Sequence, residues 1–261
     1  MTDAASPDAV VLRSLDRRGV AVLTLNRPDK GNAYDQAMLD ALNGEVTRLA
    51  DDPAVRIVVL RASGRHFCVG AEIGAAAPTK EGPRVTIPAL CVALDALPKP
   101  TIALVHGACI GGGVALISCC DVVLGARGAF FSLPEVRLGF APGPLIPFFL
   151  RAIEPRSLRR YLLSGERFSA EEAMRSGLVH ELCELDAADA ALERLIDELL
   201  LAGPNALAQA KRLFLRFAPA PPSLELLAEL QREFEQGFNS PEAAEGRASF
   251  REKRKPRWFA P

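Results

Sequence analysis

Short apolar runs alternate with helical patterns through the first half of this 261-residue chain. Apolar residues recur at helical spacing between Met38 and Leu49, which predicts an amphipathic helix. Further helices are predicted over residues 85–97 and 114–119. Runs rich in β-branched residues predict buried strands at Val20–Leu25, residues 57–60, Thr101–Val105 and residues 122–125. Because strands alternate with helices, the chain is predicted to be an α/β protein with a mostly parallel sheet.

The second half of the chain is dominated by helical patterns. Strand signals stop near residue 150, so no strand is expected beyond that point. Ser169 and Glu172 form a capping-box signature, and Ser240 is predicted to cap the last helix. The stretch 195–201 is so apolar that it should pack on the core or on another subunit. We therefore divide the chain into a core, residues 1–200, and a helical C-terminal region, residues 201–261.

The overall composition is that of an ordinary globular protein. Hydrophobic residues make up 49% of the chain, charged residues make up 24%, and the formal net charge is −1. These values indicate neither a nucleic-acid partner nor a membrane, and residues 1–7 lack the features of a signal peptide. The six cysteines include no C-x-x-C pair, and the three histidines show no metal-binding spacing. We therefore expect a cytoplasmic protein with free cysteines and no metal site.

Two loops, residues 66–72 and 107–113, carry small residues directly after predicted buried strands. Taken singly, the glycines in such loops make turns and allow a helix to pack closely. Taken together, the loops support a second interpretation, because a glycine-rich turn that opens a helix leaves N–H donors unpaired. Fixed and partly desolvated donors can stabilise a developing oxyanion. The residues alone leave both interpretations open.

Four segments match the signatures of one known family in order and in spacing. Residues 25–33 look like its early coenzyme A loop, and residues 67–73 are similar to its F-C-A-G-A-D motif, with Glu72 where aspartate is usual. Residues 111–113, followed by Cys120 and Asp121, match its second signature, and residues 250–256 resemble its C-terminal ending. Over nearly its whole length the chain resembles the crotonase, or enoyl-CoA hydratase/isomerase, family, and it is nearest to bacterial members of the methylglutaconyl-CoA hydratase type.

The resemblance implies a fold, an assembly and a substrate. The fold would be the crotonase (ClpP/crotonase-like) α/β spiral of ββα units, closed by the helical C-terminal region. That region would mediate self-association into a trimer, commonly paired into a hexamer. The substrate would be an acyl-coenzyme A thioester, and no separate cofactor is expected.

The resemblance also assigns roles to individual residues. The backbone N–H groups of Ala71 and Gly112 would form an oxyanion hole for the thioester carbonyl, and Glu135 would be the acid/base carboxylate. The Gly143 N–H would lie near the nucleophilic water. Two groups of residues would contact coenzyme A. The early loops would contribute Lys30, Gly31, Ala33, Cys68 and Ala71. The C-terminal ending of a neighbouring subunit would contribute Phe250 and Lys253.

One position departs from the two-glutamate pattern of the best-known hydratases, because Ala115 stands where the first glutamate is usual. A hydratase of branched or glutaconyl-type thioesters fits residues 135–139, 159–161 and 166–168 best. A double-bond isomerase, which shuttles one proton with one carboxylate, is the first alternative. A non-catalytic acyl-CoA-binding or protein-binding module of the same fold is the second. Residues 144–149 replace a usually smaller stretch, so the acyl pocket should differ from that of a crotonyl enzyme.

The surroundings of Glu135 decide whether it can transfer protons near neutral pH. Its neighbours Leu133, Val136 and Leu138 are apolar, and burial among them would raise its pKa. An ordinary surface carboxylate, paired with Arg137, is the other interpretation of the same residues.

Overall fold

A computed structural model describes residues 9–72, 84–217 and 224–259. The strands in these ranges are β1 Val11–Leu15, β2 Val20–Leu25, β3 Ile57–Ala62, β4 Thr101–Val105, β5 Ala108–Ile110, β6 Val122–Ala126, β7 Phe130–Ser132, β8 Arg167–Ser169 and β9 Glu181–Cys183. The larger sheet has the order β1-β2-β3-β4-β6-β9, and the smaller sheet has the order β5-β7-β8. The β1–β2 and β7–β8 pairs are antiparallel and the other pairs between these strands are parallel. The prediction of a mostly parallel α/β sheet is therefore confirmed.

Helices cover both sheets and make up most of the second half of the chain. They are α1 Gln36–Asp51, α2 Ile87–Asp95, α3 Gly112–Ser118, α4 Ile146–Ala152, α5 Pro155–Ser164, α6 Ala170–Arg175, α7 Ala188–Leu201, α8 Pro204–Phe217, α9 Leu224–Phe238 and α10 Pro241–Arg251. Single 3-10 turns occur at Pro28–Lys30, Pro134–Leu138, Gly143–Leu145 and Leu185–Ala187. Residues 1–7, for which no signal peptide was expected, lie outside the described residues. Ile73, the last residue of the F-C-A-G-A-D-like segment 67–73, also lies outside them.

Both predicted helix caps are present. The Ser169 hydroxyl accepts a hydrogen bond from the Glu172 N–H at 3.3 Å, and the Glu172 carboxylate accepts one from the Ser169 N–H at 3.1 Å. At the start of α10, the Ser240 hydroxyl accepts a hydrogen bond from the Ala243 N–H at 3.1 Å. Each cap satisfies an N–H donor that the helix itself leaves unpaired and contributes about 1 kcal/mol.

The larger sheet is buried on both faces. Alternate residues of a strand point to opposite sides, so Val58 and Leu60 of β3 join the core shared with α1, α2 and α3. Val59 points the other way and joins a second core formed with α7. Ile196 and Leu200 of α7 are buried in that second core, which confirms that the apolar stretch 195–201 packs on the sheet. Each such side chain contributes about 1.5–3 kcal/mol relative to an exposed position.

A repeated unit of two strands and a helix connects the two sheets, because its first strand lies in the larger sheet and its second strand lies in the smaller sheet. β4 of the larger sheet leads directly to β5 of the smaller sheet and then to α3, and β6 leads to β7 in the same way. An isolated parallel bridge between Cys68 and Cys109 places the loop after β3 beside β5. The loops that end each repeat are therefore stacked side by side, and residues far apart in the sequence meet there.

The expectation that strands stop near residue 150 is wrong, because β8 and β9 follow that point. β9 pairs with β6, with Leu182 opposite Gly125, and β8 pairs with β7, with Phe168 opposite Phe131. Each of these strands has three residues, which is too short to produce a period-two pattern. Pairing with a strand distant in the sequence produces them.

The end of the chain is tied back to the sheet. The Arg56 guanidinium donates hydrogen bonds to the Trp258 carbonyl at 2.7 Å and to the Ala202 carbonyl at 3.1 Å. The Trp258 indole N–H donates to the Leu201 carbonyl at 3.0 Å. The Glu242 carboxylate accepts from the backbone N–H groups at the start of α8. In the ranges that the structure describes, no helix is both long enough and apolar enough to cross a membrane.

Candidate active site

The first loop runs along β5 after leaving β3. The Cys68 N–H donates to the Ala108 carbonyl at 3.1 Å, and the Ile110 N–H donates to the Cys68 carbonyl at 2.9 Å. The His66 Nδ1 accepts a hydrogen bond from the Ala108 N–H at 3.1 Å, so this histidine serves the loop structure. Gly70 adopts a φ of +93°, a conformation that side chains rarely allow, and turns the chain into Ala71.

The Ala71 N–H points away from the backbone that lies beside it. The Tyr34 N–H donates to the Gly70 carbonyl at 2.9 Å, and the Glu72 N–H donates to the Tyr34 carbonyl at 3.0 Å. In a trans peptide the C=O and the following N–H point in opposite directions. The Ala71 N–H therefore faces away from Tyr34, and it donates to no other described residue.

The second loop presents another N–H group at the start of α3. Gly111, with a φ of +55°, donates to the Ser132 carbonyl at 2.9 Å, and α3 begins at the next residue. The first N–H groups of a helix have no partner within it. No acceptor for the Gly112 N–H is found in the described part of the chain. A Cβ at Gly113 would lie 2.8 Å from the Cys68 carbonyl oxygen, so the helix start is packed directly against the first loop.

Glu135 is buried beside the second loop. It lies on the 3-10 turn after β7 and is 8% exposed. A Cβ on Gly111 would lie 2.9 Å from its Oε1, whereas its Oε2 is buried and has no hydrogen-bond partner among the described residues. Burial raises the pKa of Glu135, and a hydrogen bond from its own backbone partly offsets this effect.

The neighbours of Glu135 differ in part from the expectation. Leu133 is fully buried, but Val136 and Leu138 are exposed. Arg137 does not pair with Glu135; its Nε donates to the Ser164 carbonyl at 2.8 Å. The buried, protonatable carboxylate is thus present, but the residues that follow it on the 3-10 turn are exposed.

Ala115 and Gly143 are two further positions that the sequence singles out. Ala115, on α3, is fully buried. Gly143 is exposed at the start of a 3-10 turn, and nothing lies within 4 Å of the position that its Cβ would occupy. Its N–H donates to no residue in the described ranges. The chain therefore offers an accessible backbone donor at Gly143 and no carboxylate at Ala115.

Tyr34 belongs to the site, and the sequence reasoning missed it. A Cβ on Gly112 would lie 2.7 Å from the Tyr34 Cε1 and nearer still to the hydroxyl oxygen, so the phenol covers this glycine. Burial raises the pKa of Tyr34, and the charges of Cys68 and Glu135 add to the increase. One signal could have found it, since Tyr34 directly follows the early loop at residues 25–33.

The residues predicted to contact coenzyme A form one group at the early loops and another at the end of α10. Lys30 is half-exposed and forms an ion pair with Glu72, 2.5 Å from Nζ to Oε1, and this hydrogen bond lowers the pKa of Glu72. Gly31 accepts a hydrogen bond from the Val69 N–H at 3.1 Å. Ala33 and Cys68 are buried, and both backbone groups of Cys68 are paired with β5. Cys68 is 0% exposed in the single chain, and its contact with coenzyme A stays a prediction.

The predicted C-terminal contacts lie at the end of α10. Phe250 is 86% exposed, and Lys253 is exposed with a φ of +52°. An aromatic ring this exposed buries little apolar area within its own chain. Across residues 9–72, 84–217 and 224–259, no group of three His, Cys, Asp or Glu side chains is arranged to hold a metal ion.

Comparison with known proteins identifies the class and the family. Two solved structures superpose along nearly the whole chain. The enoyl-CoA hydratase from Shewanella pealeana has a TM-score of 0.87 and 32% identity, and the match covers 95% of this chain and 96% of that one. Pseudomonas aeruginosa AtuE has a TM-score of 0.89 and 35% identity, and the match covers 96% of this chain and 100% of that one. The chain therefore has the crotonase fold, with a helical C-terminal region.

The sequence agrees with the fold. The family model described as enoyl-CoA hydratase/isomerase matches residues 16–260. The 2,3-dehydroadipyl-CoA hydratase of Escherichia coli is 33% identical over 196 residues, which cover 74% of this chain and 77% of that protein. The chain is an enzyme that belongs to the enoyl-CoA hydratase/isomerase family.

Proposed function

We propose that the protein adds water to an α,β-unsaturated acyl-CoA whose acyl group is branched or carries a second carboxylate. The observation that carries this proposal is the buried carboxylate of Glu135 beside two loops whose Ala71 and Gly112 N–H groups have no acceptor among the described residues. A site with one proton-transferring group and two fixed donors suits a reaction that passes through an enolate.

The chemistry follows from these groups. Glu135 accepts a proton from water, and the water oxygen bonds to the β-carbon of the substrate. The electrons of the double bond move toward the thioester, whose oxygen becomes negative and is held by the Ala71 and Gly112 N–H groups. Glu135 then returns the proton to the α-carbon, which gives the 3-hydroxyacyl thioester. A donor of this kind contributes about 10²–10³ in rate, because it binds the enolate oxygen more strongly than the carbonyl.

The acyl group is proposed from Ala115 and from the nature of one relative. An alanine leaves more space than the glutamate of two-carboxylate hydratases. The E. coli relative is by name a hydratase of 2,3-dehydroadipyl-CoA, and an adipyl group ends in a carboxylate. Both points favour a substrate larger than crotonyl-CoA.

Turnover of a thioester panel in deuterated water tests the reaction type. We expect hydration of a glutaconyl-type or branched enoyl-CoA, with one deuterium at the α-carbon of a 3-hydroxyacyl product, and slower hydration of crotonyl-CoA. Mass spectrometry and proton NMR of the products measure both. A shifted double bond with no hydroxyacyl product would support the isomerase instead. Thermal stabilisation by acyl-CoA without any turnover would support the non-catalytic module.

Coenzyme A binding and self-association are proposed to be linked. Large apolar side chains are exposed on the helical C-terminal region, among them Phe214, Phe234 and Phe250. Such surface is usually covered by another molecule. A trimer or hexamer would cover it and would bring Phe250 and Lys253 to a coenzyme A bound mainly by the adjacent subunit, while Lys30 faces the same ligand from the first loop.

We expect Lys253→Ala and Phe250→Ala to raise the KM for acyl-CoA without changing the fold, because both side chains are exposed in the single chain. Arg17→Ala is the matched control, since it removes an exposed cation at the β1–β2 turn. Steady-state kinetics with size-exclusion chromatography measures affinity and assembly together. An unchanged KM in both variants would contradict the proposed contact.

A further inference from the structure

Tyr34 occupies a position for which packing alone gives no explanation. Its main chain is hydrogen-bonded to Gly70 and Glu72 on either side of Ala71, so its backbone is fixed beside the first loop. Its ring lies against Gly112 in the second loop. One residue therefore touches the two segments whose N–H groups are proposed to hold the thioester oxygen.

The carboxylate of Glu135 approaches the same short stretch of backbone. It lies against Gly111, and the Tyr34 phenol lies against the next residue, Gly112. Consecutive Cα atoms are about 3.8 Å apart. The phenol and the carboxylate thus border one small region of the second loop, and the effect of the Glu135 charge on the pKa of Tyr34 agrees with this proximity.

The hydroxyl group of Tyr34 has no partner in the described residues. Phenylalanine would fill the same volume, and Tyr34 is already partly buried against the main core. A hydroxyl that loses water on ligand binding without gaining a hydrogen bond costs free energy. The oxygen is therefore best explained by a ligand that it contacts.

We propose that Tyr34 contacts the reacting molecules: its hydroxyl oxygen accepts a hydrogen bond from the nucleophilic water that Glu135 deprotonates. The inference rests on the proposed hydration. Water has two hydrogens, and Glu135 takes the one that is transferred, whereas Tyr34 holds the one that stays with the oxygen in the product hydroxyl. The phenol keeps its own proton throughout. Because Ala115 supplies no polar group, Tyr34 performs the positioning that a second carboxylate would otherwise provide.

Tyr34→Phe removes only the oxygen and is expected to lower kcat roughly tenfold, as the loss of one hydrogen bond in the transition state would, with KM changed less than about twofold. Tyr161→Phe is the matched control, because Tyr161 is the other tyrosine of the chain and stacks on Phe168 at 4.0 Å. The control should keep wild-type kcat and KM.

A spectroscopic measurement separates contact with the reacting group from a structural role. In a Tyr161→Phe background labelled with 3-fluorotyrosine, the fluorine NMR signal comes from Tyr34 alone. The 3-hydroxyacyl-CoA product should shift this signal more than the saturated acyl-CoA without the hydroxyl does. Equal shifts with the two ligands would overturn the role of Tyr34, and so would a Tyr34→Phe variant with wild-type kcat. Neither result would contradict hydration by the wild-type enzyme. Absence of hydration by the wild-type enzyme would overturn both proposals.

Discussion

Glu135→Gln is expected to lower turnover by about 10²–10⁴-fold while acyl-CoA affinity is retained, because glutamine keeps the size of the side chain but cannot accept and return a proton. The carboxylate lies against Gly111, with its Oε1 2.9 Å from the position of a Cβ on that residue. Steady-state kinetics and calorimetric titration of a saturated acyl-CoA measure the two quantities. Glu198→Gln, on the exposed side of α7, is the control and should behave as wild type. Near-normal turnover by Glu135→Gln would remove this residue from the mechanism.

The pH dependence gives an independent check on the same residue. Glu135 must be charged to accept the proton of water, and burial raises its pKa. The value of kcat/KM should therefore fall as the pH falls through this raised pKa, which is above the ordinary glutamate value of about 4.3. The residual activity of Glu135→Gln should lack this acidic limb. A wild-type profile that stays flat down to the ordinary glutamate range would contradict a buried base.

As the pH falls, the contribution of Glu135 to the free energy of unfolding should rise while the activity falls. A pKa that is raised in the folded state means that the folded protein binds the proton more tightly than the unfolded chain does. The stabilisation from the protonated form is complete below the ordinary pKa and is lost as the pH rises through the raised pKa. At neutral pH the charged Glu135 therefore costs stability, and Glu135→Gln should have an equal or higher Tm. This difference should disappear at acidic pH.

Gly112→Ala is expected to lower activity by at least about 10²-fold, because the N–H at this position is proposed to hold the enolate oxygen. The new methyl group would lie 2.7 Å from the Tyr34 Cε1 and closer to the hydroxyl, so either the phenol or the backbone must move. Gly112→Val should be worse, since it adds two further carbons. Circular dichroism and Tm should show a folded protein.

Gly128→Ala is the matched control for this substitution. Nothing lies within 4 Å of a Cβ at Gly128, and no positive φ restricts that position. The control should retain full activity, and any general effect of replacing glycine would appear in it. A fully active Gly112→Ala enzyme would show that the Gly112 N–H does not form the oxyanion hole.

The sequence by itself determined the features that depend on neighbouring residues. The buried strands of the larger sheet were predicted because each is an apolar run, and the caps at Ser169 and Ser240 were predicted because a cap needs one side chain at one position. The two small-residue loops and Glu135 were found because family signatures are also local. These signals required no knowledge of how the chain returns on itself.

The tertiary structure alone decided which groups meet. β8 and β9 form because they pair with β7 and β6. Three residues are too few for a hydrophobic pattern that would predict a strand. Leu133 and Glu135 are buried whereas Val136 and Leu138 are exposed, and this depends on which distant elements pack against the 3-10 turn after β7. Tyr34 reaches Gly112 only because stacked ββα repeats bring two loop ends together. The burial of a side chain and its contacts with residues distant in the sequence depend on the whole fold, so no local pattern in the sequence specifies them.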